Sequence, residues 1–224
     1  MFANRLLPLS GIVFVVLVVL AVPVLGGNSP DSGGSAARVM AYYDAHHARA
    51  SVAAFVLAAA APFLALFGLS LVRALSPGEG QRYSFWQLGL IAAGVGAAMA
   101  FAVGALLHFA LADAASHGFT ASVFQTLNVL DSDTWVVVNS GLGLMMLAAA
   151  GSLLPRTRAH RRLGWAALVL GVALFIPFAE FFALLLTGLW IIATSMLLFR
   201  DGAEATRAVT AGIAASALSQ KGSV

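Results

Sequence analysis

Six long apolar stretches, separated by short polar gaps, constrain this chain more than any other feature of its sequence. An α-helix needs about 20 residues to cross a hydrocarbon layer about 30 Å thick, and each stretch is close to that length. The pattern predicts an all-α fold: a polytopic transmembrane helical bundle with six spans. The predicted spans cover residues 6–25, 50–75, 85–111, 134–154, 163–178 and 181–199.

The composition leaves no room for a separate soluble domain. Charged residues make up 9% of the 224 and hydrophobic residues 61%, whereas soluble domains carry about 25% charged residues. We therefore expect one six-helix domain over residues 1–199 and a cytoplasmic tail over 200–224. The chain has no cysteine, which excludes disulfides and thiolate catalysis. Its basic residues lack the interleaved aromatic residues of nucleic-acid-binding surfaces, so no nucleic-acid partner is expected.

The distribution of basic residues predicts the orientation. If the N-terminus is cytoplasmic, ten of the twelve Lys and Arg residues lie inside and only Arg38 and Arg49 lie outside. The positive-inside rule then predicts a multi-pass cell-membrane protein with both termini cytoplasmic. Residues 1–25 also resemble a signal peptide, but their apolar run is longer than usual for one and favours a retained first helix.

Polar segments between the spans carry further signals. Apolar residues at helical spacing predict two short outer-face helices. One starts after Ser35 and runs into the second span, and the other lies within residues 113–133. Pro177 predicts a tight outer turn. Asp131-Ser132-Asp133-Thr134 predicts a cap at the start of the fourth span, with a role in binding as the alternative. In the inner loop, four arginines predict contact with anionic lipid; they are Arg156, Arg158, Arg161 and Arg162.

Three polar residues at or near membrane depth are candidates for function, because such groups are costly in lipid. They are His108, Asn139 and Glu180. His108 continues a series of small residues, Ala92, Gly96, Ala100 and Gly104, that predicts a close helix contact. We expect an outward-facing pocket formed by His47, His108, Asn139, Glu180 and Tyr43. The alternative is that His108 and Asn139 only form hydrogen bonds between helices.

Signals for catalysis or metal binding are weak. Asp44 and His47 would share one helix face, and His117 lies in another outer loop, but no HExxH or other specific metal spacing is present. There is no Walker-type loop and no nucleophile elbow. We therefore predict no catalytic residue, no bound metal and no cofactor.

Three segments carry a resemblance to a known group of proteins: residues 39–46, residues 127–131 and Leu163-Gly164-Trp165. In their order along the chain they resemble uncharacterised small six-span integral membrane proteins of high-GC Gram-positive (actinobacterial-type) bacteria. The resemblance implies the six-span fold and supplies no activity.

The leading functional hypothesis is a non-enzymatic binding or accessory protein, whose outward pocket holds a lipid or a small apolar ligand. Membrane lipids are the expected partners, and the sequence does not specify the oligomeric state. One alternative is a small proton-coupled transporter that uses His108 and Glu180. A second alternative is a metal-dependent membrane hydrolase that uses the outer histidine and aspartate residues.

Overall fold

The chain folds into six helices over the residues that the structure describes, and the all-α prediction is confirmed. The computed structural model describes residues 6–27, 29–76 and 82–221, with side chains as far as residue 203. The helices are α1 (Leu7–Gly26), α2 (Ala36–Leu75), α3 (Phe85–Ser116), α4 (Ala121–Leu153), α5 (Arg158–Ala173) and α6 (Glu180–Lys221).

Five of these helices are long and apolar enough to cross a membrane, which identifies a membrane protein. The exception is α5, which has 16 residues and is about 24 Å long at 1.5 Å per residue. The span predicted for residues 163–178 is therefore only partly helical. The chain leaves the helix after Ala173 and forms turns as far as Ala179, because Pro177 cannot continue the hydrogen-bond ladder.

Both segments that were predicted as outer-face helices are continuous with longer helices, as expected for the first but not for the second. Residues 36–49 form the first turns of α2, and residues 121–133 form the first turns of α4. In α4, the sequence Asp131-Ser132-Asp133-Thr134 was expected to start a helix, but it lies within one. No Gly or Pro occurs between Ala121 and Thr134 to interrupt the helix.

Some predictions concern residues outside the described part of the chain. The N-terminal residues 1–5, including Arg5, and the part of the α2–α3 loop that contains Glu79 lie there. The last residues, 222–224, lie there as well. Residues 204–221 of the predicted tail are helical and belong to α6.

The helix boundaries follow from local sequence. Ser84 begins α3 with a capping box: Gln87 N donates to Ser84 Oγ at 3.3 Å, and Ser84 N donates to Gln87 Oε1 at 2.8 Å. The buried Gln87 side chain also donates to Leu75 O at 2.9 Å and ties α3 to the end of α2. Gly118, with φ +67°, forms the tight turn between α3 and α4.

Helices α2, α3 and α4 form the centre of the bundle, and α4 is the most buried. In its most apolar stretch 61% of the residues are buried, against 28% to 44% in the other four long helices. Contacts along α3 and α4 run in opposite directions, from Trp86 beside Gly151 to Gly104 beside Thr134. Helix α1 packs against α2 and α6, and α5 packs against α4 and α6.

Small residues allow the helices to approach closely in the centre of the bundle. Not all the small residues that the sequence predicted to be in such contacts take part in them. A Cβ at Gly141 would lie 2.8 Å from Ala97 Cα, so the backbones of α3 and α4 nearly touch there. By contrast, Gly96 is exposed, and no described atom of another element lies within 4 Å of a Cβ built on it. The predicted contact at Gly96 is wrong; the packed face of α3 contains Gly94, Ala97 and Gly104.

Charge is segregated between the two ends of the bundle. We call one the basic end; its described charged residues are Arg73, Arg82, Arg156, Arg158, Arg161, Arg162, Arg200 and Asp201. We call the other the acidic end; it carries Arg38, Arg49, Asp31, Asp44, Asp113, Asp131, Asp133 and Glu180.

A second, smaller hydrophobic cluster lies at the acidic end, apart from the main core. It joins Val39 and Tyr43 of α2 with Leu111 of α3 and Phe124 of α4. Helix α2 has 40 residues and is about 60 Å long at 1.5 Å per residue, twice the thickness of a hydrocarbon layer. The three central helices are therefore all longer than a hydrocarbon layer is thick, and their turns at the acidic end pack around this cluster.

Candidate functional site

A histidine–carboxylate pair lies at the acidic end between the main core and the smaller cluster. His108 Nδ1 of α3 lies 3.3 Å from Asp131 Oδ2 of α4. The two side chains are 15% and 25% exposed, so both are largely removed from solvent. A hydrogen bond to a carboxylate fixes the orientation of an imidazole ring.

Tyr43 packs beside this pair from α2. Its ring contacts the His108 ring edge-on, with centroids 6.1 Å apart. Tyr43 is fully buried, and its hydroxyl has no hydrogen-bond partner among the described residues. An unpaired buried hydroxyl is costly, so this group is available to an additional hydrogen-bond partner.

His108 and Asp131 line a cavity of about 120 Å³, which we call the acidic-end cavity. No Lys or Arg is among its described lining residues. The exposed residues Gly27 and Ser29 form part of its rim, so it reaches the surface at the acidic end. Its apolar wall is formed by Ala53, Leu57, Phe101, Trp135 and Val138.

Aromatic packing fixes the wall of the cavity nearest the main core. The rings of Phe101 and Trp135 meet edge-on with centroids 6.4 Å apart, and Phe14 of α1 packs against Phe101 at 5.1 Å. Edge-to-face contacts of this kind stabilise a defined arrangement of rings. The cavity therefore has a rigid apolar side opposite its polar pair.

The end of α1 covers the cavity in an unusual conformation. Residues Leu20–Gly26 form a π-helix that contains Pro23, and π-helical turns occur frequently at functional sites. Arg49 of α2 donates to Leu25 O at 2.6 Å and to Val24 O at 3.1 Å. Tyr42 donates to Gly26 O at 2.8 Å. These bonds satisfy carbonyl groups that the end of a helix leaves without partners.

Asn139 and Glu180 form a separate polar contact between α4 and α6. Asn139 Nδ2 donates to Glu180 Oε2 at 2.9 Å. Asn139 is 5% exposed, and its Oδ1 has no described partner. Asn139 lies eight residues after Asp131, which is about 12 Å along the axis and about 80° around it. The two pairs thus use different faces of α4.

The five residues predicted to form one pocket therefore lie in three places. His108 lines the acidic-end cavity, and Tyr43 packs against the His108 ring. Asn139 and Glu180 bind each other, and neither is among the described lining residues of the cavity. His47 is exposed, with its Nδ1 3.4 Å from Asp44 O.

The weak metal candidates do not converge. His117 Nδ1 lies 3.6 Å from Asp113 Oδ2 within α3 and its end, whereas Asp44 and His47 lie on α2. Within the described residues, no three His, Asp or Glu side chains form a group that could hold a metal ion. The metal-dependent hydrolase alternative therefore has no supporting ligand set in this part of the chain.

The four arginines of the predicted lipid contact divide into two kinds. Arg156 donates to Leu75 O and so joins the α4–α5 loop to the end of α2. Arg158, Arg161 and Arg162 are exposed on the first turn of α5. Nearby, His160 Nε2 lies 3.6 Å from Asp201 Oδ2 of α6.

Asp131 lines the cavity, but the sequence did not place it beside His108. It was interpreted mainly as part of a helix cap, with a role in binding as the alternative, because an acidic residue before an apolar run is typical of a helix start. A contact between residues 23 positions apart needs the α3–α4 hairpin to be known. The feature of the sequence that could have predicted this contact is the short turn of the hairpin, since it places residues on both sides of Gly118 opposite each other.

No family model, curated protein or solved structure matches this chain. The resemblance to small six-span proteins of high-GC Gram-positive bacteria therefore stays a prediction.

Proposed function

We propose that this protein is a non-enzymatic membrane binding protein whose acidic-end cavity holds a small ligand. The observation that carries the proposal is the His108–Asp131 pair, which lines a cavity of about 120 Å³ with an otherwise largely apolar wall. Ligand sites in proteins share this character: mostly apolar surface with a few converging polar groups.

The size and chemistry of the cavity define the ligand class. Sites for drug-sized ligands measure roughly 300–1,000 Å³, and an engineered apolar cavity of about 150 Å³ accepts benzene. A volume of about 120 Å³ favours a small, mainly apolar molecule over a lipid. Asp131 and His108 favour a ligand that also carries an ammonium or hydroxyl group, because a carboxylate accepts hydrogen bonds from both.

We further propose six membrane crossings. Contacts at both ends support this: α6 starts beside Asn139 and reaches His160 of α5 at the basic end, and α4 also ends there. Because α4 and α6 run in the same direction, the chain between them must cross back. The α5–α6 turn presents exposed apolar side chains, including Phe178 and Phe181, which suit a membrane interface.

The proposed orientation places the basic end in the cytoplasm of a cell-membrane protein. Among the residues whose side chains the structure describes, seven arginines lie at the basic end and two at the acidic end. The positive-inside rule assigns the arginine-rich side to the cytoplasm. The acidic-end cavity then opens to the outside, and both termini lie inside.

The second candidate function is proton-coupled transport. His108–Asp131 and Asn139–Glu180 give two polar contacts along α4, as a proton relay would need. Transport also needs a path to the basic end. There the main core contains large apolar side chains, including Leu71, Leu90, Met145 and Met146. This closed core favours binding over transport; proton uptake by proteoliposomes that depends on Asp131 would reverse that preference.

Thermal unfolding of the full-length protein in detergent tests the binding proposal. We expect benzylamine to raise the melting temperature more than benzene, since its ammonium group can donate to Asp131. Asp131→Asn should remove the difference between the two probes while preserving the effect of benzene. A wild-type melting temperature that neither probe changes would contradict the proposal.

A pair of matched variants separates cavity binding from general effects on the bundle. Ala53→Leu adds three carbon atoms to a wall residue of the cavity and should abolish stabilisation by both probes. Ala58→Leu makes the same change on an exposed position of the same helix and should leave both effects intact. Equal loss in the two variants would mean that the probes act elsewhere.

A further inference from the structure

An apolar groove lies between α5 and α6, remote from the acidic-end cavity. Its open volume is about 580 Å³. Trp190 forms part of its base and donates from Nε1 to Leu163 O at 2.9 Å, which joins the two helices. The groove walls include Trp165, Ala166 and Val169 of α5 and Leu189 and Ala193 of α6.

Positive charge lies at the end of this groove. Arg161 precedes Trp165 by four residues and Arg162 precedes Ala166 by four, so each arginine lies one turn before a groove residue on the same helix face. Both arginines are exposed, and neither forms an ion pair with a carboxylate among the described side chains. Arg156, in contrast, is engaged with Leu75 O.

The spacing of these groups matches that of a lipid molecule. At 1.5 Å per residue, Trp165 lies about 6 Å from Arg161 along the helix, and Val169 about 10 Å from Arg162. A phosphate at the arginines would therefore place an acyl chain directly along the groove. The Trp165 side chain is exposed between the position of the phosphate and that of the acyl chain. Aromatic residues are enriched at membrane interfaces, where lipid headgroups meet acyl chains.

We propose that this groove is a binding site for an anionic phospholipid of the surrounding bilayer. Arg161 and Arg162 bind the phosphate and its negatively charged headgroup, and one acyl chain lies between Trp165 and Ala193. The site selects by charge, because a zwitterionic lipid of the same chain length gains less from two cationic side chains. It is independent of the ligand proposed for the acidic-end cavity.

Quenching of tryptophan fluorescence by brominated lipid tests the proposal, because two of the four tryptophans line the groove. The protein would be purified at full length in detergent, with Trp86 changed to Phe to remove one lipid-exposed fluorophore. Dibrominated phosphatidylglycerol should quench at lower concentration than dibrominated phosphatidylcholine. Arg161→Gln/Arg162→Gln should weaken quenching by phosphatidylglycerol about 30-fold, so that the two lipids quench at similar concentrations.

Two further variants distinguish this site from a general effect of surface charge. Arg73→Gln/Arg82→Gln removes the same charge from exposed positions at the basic end and should leave the preference for phosphatidylglycerol unchanged. Ala193→Phe fills the groove without changing its charge and should reduce quenching by both lipids. Equal quenching by the two lipids in the parent protein, equal weakening in both arginine pairs, or unchanged quenching in Ala193→Phe would overturn the proposal.

Discussion

Single residues decide how closely the helices of this bundle approach. At Gly141 the α3 backbone occupies the space that a side chain would need, with Ala97 Cα 2.8 Å from an added Cβ. At Gly96 a side chain would meet no described atom of another element within 4 Å. In lipid, helices associate through close packing of small residues, so these two glycines should differ sharply in their tolerance of substitution.

Gly141→Ala should lower the free energy of unfolding by about 1–2 kcal/mol. Overpacking costs roughly 1–3 kcal/mol, and the better helix propensity of alanine offsets up to about 1 kcal/mol of this. Gly96→Ala should be neutral or slightly stabilising. Denaturant unfolding of both variants in the same detergent measures the difference, and equal effects would contradict the packing described for α3 and α4.

Two substitutions in the contact between Asn139 and Glu180 should have opposite effects on the stability of the protein. Asn139→Ala removes the donor to a half-buried carboxylate and should destabilise by about 1–3 kcal/mol. Glu180→Gln keeps an acceptor for Asn139 Nδ2 and adds an amide donor that can satisfy the orphan Asn139 Oδ1. Its melting temperature should match or exceed that of the parent protein. A loss as large as that of Asn139→Ala would show that the negative charge itself stabilises the contact.

The sequence indicated several residues of the site but not how they group. His108, Asn139 and Glu180 were identified because polar groups near membrane depth need partners, and Tyr43 was added as a residue of the first outer segment. Their grouping depended on depths measured from assumed helix ends. Because α4 starts at Ala121, Asp131 lies inside the helix and opposite His108. The rotation of about 80° between residues 131 and 139 then separates the two pairs.

At the scale of elements, the end of α1 is held by its neighbour. Arg49 supplies two charge-assisted hydrogen bonds to carbonyl groups of the π-helical segment Leu20–Gly26. Basic side chains at the C-terminal end of a helix also interact favourably with its dipole. The segment covers the acidic-end cavity, so its order affects access to that site.

Arg49→Ala should loosen this segment without unfolding the bundle. We expect faster amide hydrogen exchange over residues 20–26, measured by mass spectrometry, and little change in the main core. Arg38→Ala removes another exposed arginine from α2 and serves as the control. If exchange in residues 20–26 is equally fast in both variants, Arg49 does not hold the end of α1.

The apolar runs in the sequence predicted the presence of the helices more accurately than the positions of the helix ends. The five long helices match five of the six predicted spans to within one residue at Leu6 and at Leu154, and contain the rest of them. Helices α2, α3 and α4 extend further at the acidic end, because their turns there pack against each other around Tyr43 and Phe124. A hydropathy pattern detects the length of an apolar segment, but it gives no information on how helices pack against each other outside that segment.

The whole molecule is polarised, with most arginines at one end and most acidic residues at the other. This polarity predicts which residues reagents can reach in intact cells. Cysteines at Ser32 and Ser122, both exposed at the acidic end, should react with an impermeant thiol reagent. A cysteine at Thr157, exposed at the basic end, should react only after the membrane is permeabilised. The opposite labelling pattern would invert the proposed orientation.

The NMR signal of the His108 ring reports directly on whether the acidic-end cavity holds a ligand. The chain has five histidines, and only His108 is among the described lining residues of the acidic-end cavity. Titration of ¹⁵N-histidine-labelled protein with benzylamine should shift the His108 signal to saturation and leave His46, His47, His117 and His160 unchanged. Ala53→Leu should abolish the shift. A His108 signal that stays fixed, or moves equally in Ala53→Leu, would contradict a ligand site in this cavity.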